Sequence, residues 1–274
     1  MRVSWLGWST FRVDVPDGPS LVLDPCVSPL LDDPHASLAD LDGVDVMLLT
    51  HGHHEHIKDA ALVHRHLERG GRTVPIVAPP QVREYLVAYR DIPRERFVGV
   101  APDDEVEVAG VTVRARGFPH LPKHDVAGKL AILRRDNPLG APAILLRYAP
   151  NIVRSWFAIK RQPEFGPFLA YDLEVAGRRL FFTCEAFTEL LDPAEVDRWA
   201  QAGPQVDLAL VGVESGQEDA ASALTDRLGA MVSVACPVHA PFERFYGKDP
   251  VHGARWEVGR PNRGVWSPGA SAVV

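Results

Sequence analysis

The stretch that most constrains this chain begins with the apolar run VDVMLLT at 44–50, which leads directly into HGHHEHIKD. The chain has 11 histidines in 274 residues, and positions 51–56 hold four of them together with Glu55. The run reads as a buried strand, and 58–69 reads as a helix closed by Gly70-Gly71, so the cluster is expected on a strand-to-helix loop. On an extended loop His51 and His53 point to the same side and can grip one ion, while Glu55 and His56 lie where a second ion would sit. The competing reading is a solvated histidine-rich turn, but this spacing at the end of a buried strand argues for a metal site.

The rest of the sequence supplies the frame. With 46% hydrophobic and 24% charged residues the chain is ordinary globular material, large enough for one large domain or two tightly joined halves. The pattern predicts a meander at the start, turning at Pro16-Asp17-Gly18-Pro19. It also predicts strands at 74–78, 208–213 and 231–235, and hairpins around Ala109-Gly110 and Gly177. Helices are expected at 81–89, near 193–201 and at 220–228. Alternating strands and helices in both halves point to sheets covered by helices. Residues 121–167 break this rhythm: many prolines among Ile144, Leu145, Leu146, Trp156 and Phe157 suggest an ordered insertion or cap. The tail from Pro241 keeps Trp256 and Trp266 and reads as an extended segment packed on the body.

Several classes are disfavoured. A net charge of -7 argues against a broad nucleic-acid surface. No apolar run approaches a membrane span, and the N-terminus lacks the apolar core of a signal peptide, so a cytoplasmic location is expected. Cys26, Cys184 and Cys236 are too few and too unevenly spaced for a disulfide framework. No G-x-S-x-G elbow or Walker loop occurs.

The text His51-Gly52-His53-His54-Glu55-His56 resembles the H-x-H-x-D-H signature of the metallo-β-lactamase superfamily. Trp5-Leu6-Gly7-Trp8-Ser9-Thr10-Phe11 and Val22-Leu23-Asp24-Pro25 resemble the N-terminal text of its small metal-dependent hydrolases, the ascorbate-6-phosphate lactonase-like and phospholipase D-like branch. The resemblance implies an αββα sandwich, a single α/β domain over 1–274 with an insertion or cap at about 121–167. It also implies three further ligands: His120, with His124 as the alternative, Glu185 in Thr183-Cys184-Glu185, and His239 in Pro237-Val238-His239. On this mapping one ion takes His51, His53 and His120, the other takes Glu55, His56 and His239, and Glu185 bridges. The chain departs from the family text in having Glu55 and Glu185 where aspartates are usual, and Trp8 in place of a histidine.

What the resemblance implies is a hydrolase using water activated by two divalent ions (zinc, manganese or iron), with Glu55 and Glu185 at the reacting centre and a small ester, lactone or phosphodiester as substrate. A di-iron or manganese redox enzyme that uses dioxygen is the alternative, and a non-catalytic metal-binding protein is a third reading. Asp24 is a candidate acceptor for a ligand imidazole, or else a turn-capping carboxylate. Cys184 and Cys236 read as small buried hydrophobes. His54, Lys123 and His124 are candidates to face substrate, and Arg147, Arg154 or Arg161 of the insertion to meet an anionic group. The apolar insertion equally suits a contact between copies in a homo-oligomer.

Overall fold

Side-chain alternation sorts the strands into faces, and the faces into layers. In β1 (Arg2–Gly7) and β2 (Thr10–Asp14) the buried positions include Val3, Trp5, Phe11 and Val13, while Arg2, Ser4 and Arg12 look outward. The computed structural model describes residues 1–28, 36–119, 142, 143, 146, 166–184, 190–214, 216–238, 240 and 262–273. Two seven-stranded sheets result. The first runs β14-β1-β2-β3-β4-β5-β6, with β3 (Ser20–Leu23), β4 (Val46–Leu48), β5 (Ile76–Ala78), β6 (Phe97–Gly99) and β14 (Ser271–Val273). The second runs β13-β12-β11-β10-β9-β8-β7, with β7 (Glu105–Val108), β8 (Val111–Gly117), β9 (Leu169–Val175), β10 (Arg178–Thr183), β11 (Leu208–Gly212), β12 (Val232–Cys236) and β13 (Arg263–Val265).

The inner faces share one core. Trp5 stacks on Phe11 with ring centroids 5.9 Å apart, and Phe11 meets Phe182 of the other sheet edge-on at 5.1 Å. Removing a buried ring of this kind costs about 3–5 kcal/mol. On the outer face of the first sheet lie α2 (Ala60–Arg69), which buries Ala60, Val63 and Leu67, and α3 (Pro80–Arg90), which buries Val82, Tyr85 and Leu86. On the outer face of the second lie α4 (Pro193–Gln201) and α5 (Glu218–Arg227). Asp192 caps α4 by accepting from the Ala194 amide at 2.9 Å, and Trp199 of α4 stacks over Phe181 at 6.1 Å. This is the expected αββα sandwich.

One expectation needs correction. The helix expected over 58–69 is found as α2, but a separate helical turn, α1 (His54–Ile57), precedes it in place of an extended loop, and Asp59 stands between the two. The Asp59 carboxylate accepts from the Val27 and Ser28 amides, each at 2.8 Å, and from Lys58 Nζ at 2.6 Å, tying this break to the loop after β3. Glu55 and His56 therefore stand on a helical turn rather than on an extended loop. Of the tail, the described residues 262–273 are extended and packed on the body: β13 pairs with β12 in one sheet and β14 with β1 in the other. Among the described residues no helix is long and apolar enough to cross a membrane.

Candidate metal centre

Chain direction brings the site together. β3 and β4 run parallel in the first sheet, as do β10, β11 and β12 in the second. Asp24 follows β3, the histidine loop follows β4 and Cys184 follows β10, so these residues leave their strands at carboxyl ends, where α/β sheets form ligand crevices. The two layers are joined there. Tyr171 of β9 donates its hydroxyl to the Leu49 carbonyl at 2.7 Å, and the Leu169 amide donates to the Thr50 carbonyl at 3.2 Å.

The loop gathers three imidazoles. The His51 ring lies 4.2 Å from that of His56 and 4.5 Å from that of His53, with 6.5 Å between His53 and His56. His51 thus occupies the centre, as close to His56 as to His53. Phe168 closes one side, with its ring 5.0 Å from His51 and 5.6 Å from His53. His51 and His56 are buried, whereas His53 and Glu55 are partly exposed.

Asp24 orders this arrangement. Its Oδ1 accepts from the Thr50 amide at 2.8 Å, and its Oδ2 lies 2.6 Å from Thr50 Oγ1 and 2.9 Å from His56 Nδ1. A carboxylate only accepts, so His56 donates from Nδ1 and directs the Nε2 lone pair outward. The single hydroxyl proton of Thr50 goes to Asp24, which leaves Thr50 Oγ1 as an acceptor for His51 Nδ1 at 3.0 Å. His51 therefore also carries its proton on Nδ1 and offers Nε2. One carboxylate oxygen sets both tautomers, directly for His56 and through a hydroxyl for His51, as expected of the surroundings of metal-binding histidines.

Electrostatics agree with that donor set. Burial alone would lower the pKa of His56, but the facing Cys184 and Asp24 outweigh it and hold the pKa well above the ordinary value. A pocket that favours a proton on this imidazole also favours a cation in its place. His54, the other loop histidine, is pushed down to about 4, chiefly by burial, and stays neutral near pH 7.

The backbone around Asp24 is unusual. Trp8 and Asp24 have φ angles of 48° and 44°, a region that non-glycine residues adopt at a cost. Both are held in place: the Trp8 carbonyl accepts from Trp5 Nε1 at 2.6 Å, and Thr10 Oγ1 donates to the Asp24 carbonyl at 3.2 Å. Ser9 Oγ lies 3.1 Å from the Glu55 carbonyl, joining the N-terminal text to the helical turn.

The structure thus brings His51 and His53 on the loop together with Glu55 and His56 on the helical turn, and puts Asp24 in the role of imidazole acceptor. His120, His124, Lys123, Glu185, His239, Arg147, Arg154, Arg161 and Trp256 lie outside the described residues. Thr50 and Phe168 carry no mark in the sequence beyond their places at strand ends. Cys184 is buried as expected but is not merely a hydrophobe, since its Sγ lies 3.1 Å from Thr50 Oγ1 and 3.6 Å from His51 Nδ1. The donor atoms of His51, His56 and Cys184 lie within 4.8 Å of one another, which fits a cation site.

Comparison with known proteins agrees with this geometry. The profile of the β-lactamase superfamily domain matches residues 15–136. The chain has the metallo-β-lactamase fold, and over 15–136 it carries the profile of that superfamily. Within it, the UPF0173 metal-dependent hydrolase of Azorhizobium caulinodans is 38% identical over 88 residues, covering 31% of this chain and 36% of the relative. That of Roseiflexus castenholzii is 32% identical over 112 residues, covering 40% of this chain and 43% of the relative. The chain thus matches less than half the length of these curated relatives. The superfamily fold extends further: the metallo hydrolase Igni18 of the archaeon Ignicoccus hospitalis superposes with a TM-score of 0.61, covering 99% of this chain and 97% of its own, at 16% identity.

Proposed function

We propose that the chain is a metal-dependent hydrolase acting on a small ester, lactone or phosphodiester with two divalent ions. In this reading His51, His53 and His120 would hold one ion, Glu55, His56 and His239 would hold the other, and Glu185 would serve both. The observation that carries this reading is the convergence of the three loop imidazoles over Asp24, whose Oδ2 lies 2.9 Å from His56 Nδ1 and 2.6 Å from the Thr50 hydroxyl. The relatives named as metal-dependent hydrolases support it.

When bound, such ions lower the pKa of a water toward neutrality and stabilise negative charge developing on a carbonyl or phosphoryl oxygen. The chain's own residues do the rest. Asp24 and Thr50 hold two imidazoles in the ligating tautomer, Phe168 walls the site beside His51 and His53, and Glu55 and Glu185 bring negative charge that offsets the ions.

A panel of small esters, lactones and phosphodiesters, offered to protein reconstituted separately with zinc, manganese and iron, tests the proposal. Turnover of at least one class is expected, with loss in His51→Ala and His53→Ala. A fully loaded protein that hydrolyses none of them but consumes dioxygen with an external reductant would replace the hydrolase reading with the redox one.

A further inference from the structure

We infer that Cys184 is a sulfur ligand of this centre, joining His56 at its ion. The inference rests on the metal-dependent reading above and narrows the metals the site selects.

Three observations carry it. First, β10 ends at Thr183 and delivers Cys184 to the crevice that receives the histidine loop from the other sheet. Second, its sulfur is enclosed by polar groups: Thr50 Oγ1 at 3.1 Å, His51 Nδ1 at 3.6 Å, and the imidazole of His56. Third, the distances suit a shared ion. With Zn–S about 2.3 Å and Zn–N about 2.0–2.1 Å, two donors on one tetrahedral ion stand about 3.6 Å apart. The donor atoms of His56 and Cys184 lie within 4.8 Å of each other, so closing on one ion requires a shift of roughly 1 Å, within the reach of side-chain torsions.

The competing role is a thiol that only donates to Thr50. Thr50 gives its own proton to Asp24 at 2.6 Å and so has a lone pair to offer. A thiol is a weak donor, however, and such a bond makes little use of a sulfur placed against two imidazoles. A cation supplies what a buried thiolate lacks, since coordination deprotonates the thiol outright and compensates its charge. With sulfur in the set, the centre favours zinc or cobalt over manganese, which prefers oxygen donors.

Cobalt(II) titration of the metal-depleted full-length chain tests the inference. The expected result is an intense near-ultraviolet sulfur-to-cobalt charge-transfer band that persists in a Cys26→Ser/Cys236→Ser double variant, where Cys184 is the remaining cysteine. In Cys184→Ser the band should vanish while the weaker visible bands of histidine-bound cobalt remain, and zinc affinity in a chelator competition should fall at least about tenfold. If Cys184→Ser does not fold, the double variant decides alone. Cobalt bound without the band, or a band that survives in Cys184→Ser, overturns this inference and leaves the metal reading standing. A wild-type chain that takes up no cobalt overturns both.

Discussion

The Oδ2 atom of Asp24 lies 2.9 Å from His56 Nδ1, and both side chains are fully buried. Desolvated carboxylate–imidazole pairs of this kind fix ring orientation and raise the basicity of the other nitrogen. Asp24→Asn should therefore weaken metal binding about 10- to 100-fold, measured by chelator competition. Thr50→Val, which breaks only the link to His51, should act in the same direction with a smaller effect. Unchanged metal affinity in both variants would remove Asp24 from its assigned role.

The glutamates also make a testable pair. Each carries one methylene more than the aspartate usual in the family text, so its carboxylate reaches further. Glu55→Asp and Glu185→Asp should each reduce metal retention or turnover, measured by dialysis against chelator and by the substrate panel. Full retention and activity in both would mean that the longer side chains are not matched to the centre.

Stability away from the site rests partly on Arg179. It is fully buried in the second sheet, pairs with Asp172 through Nε at 2.7 Å and Nη2 at 2.8 Å, and donates Nη1 to the Pro204 carbonyl just beyond α4 at 2.6 Å. Arg179→Ala leaves the buried Asp172 carboxylate with Arg116, at 3.0 Å, as its hydrogen-bonded side-chain partner among the described residues, and should cost about 3–5 kcal/mol in urea unfolding. Metal content per folded chain should not change.

His54 gives the metal-free protein a distinct pH response. Its folded pKa is lowered to about 4 from an ordinary 6.5, mainly by burial, so between those values the unfolded chain binds more protons than the folded one. Stability from this group is full above about pH 6.5 and is lost as pH falls toward 4. His56, whose pKa is raised, contributes in the opposite sense, so the comparison that isolates His54 is wild type against His54→Gln. The variant should lose less stability between pH 7 and pH 4.5 by denaturant titration; equal losses would contradict the assignment.

Much of this was legible in the sequence because periodicity and turn chemistry are local. The hairpin pair β9 and β10 and the helix α4 fall where alternation, Gly177 and Pro193 put them. The break between α1 and α2 was not legible, because Asp59 is claimed by Val27 and Ser28, which are distant in sequence. The same holds for the edge strands β13 and β14, which are short and defined by their partners. At the site, the spacing of His51, His53 and His56 announced the chemistry. The roles of Thr50 and Cys184 depend on two sheets meeting, and no pattern along one strand encodes that.

Elemental analysis of the purified chain tests the central claim most directly. Protein from metal-supplemented medium should hold about two transition-metal ions per chain, and His51→Ala or His53→Ala should lose most of one. A folded wild-type chain that retains less than about half an ion under the same conditions would contradict the account.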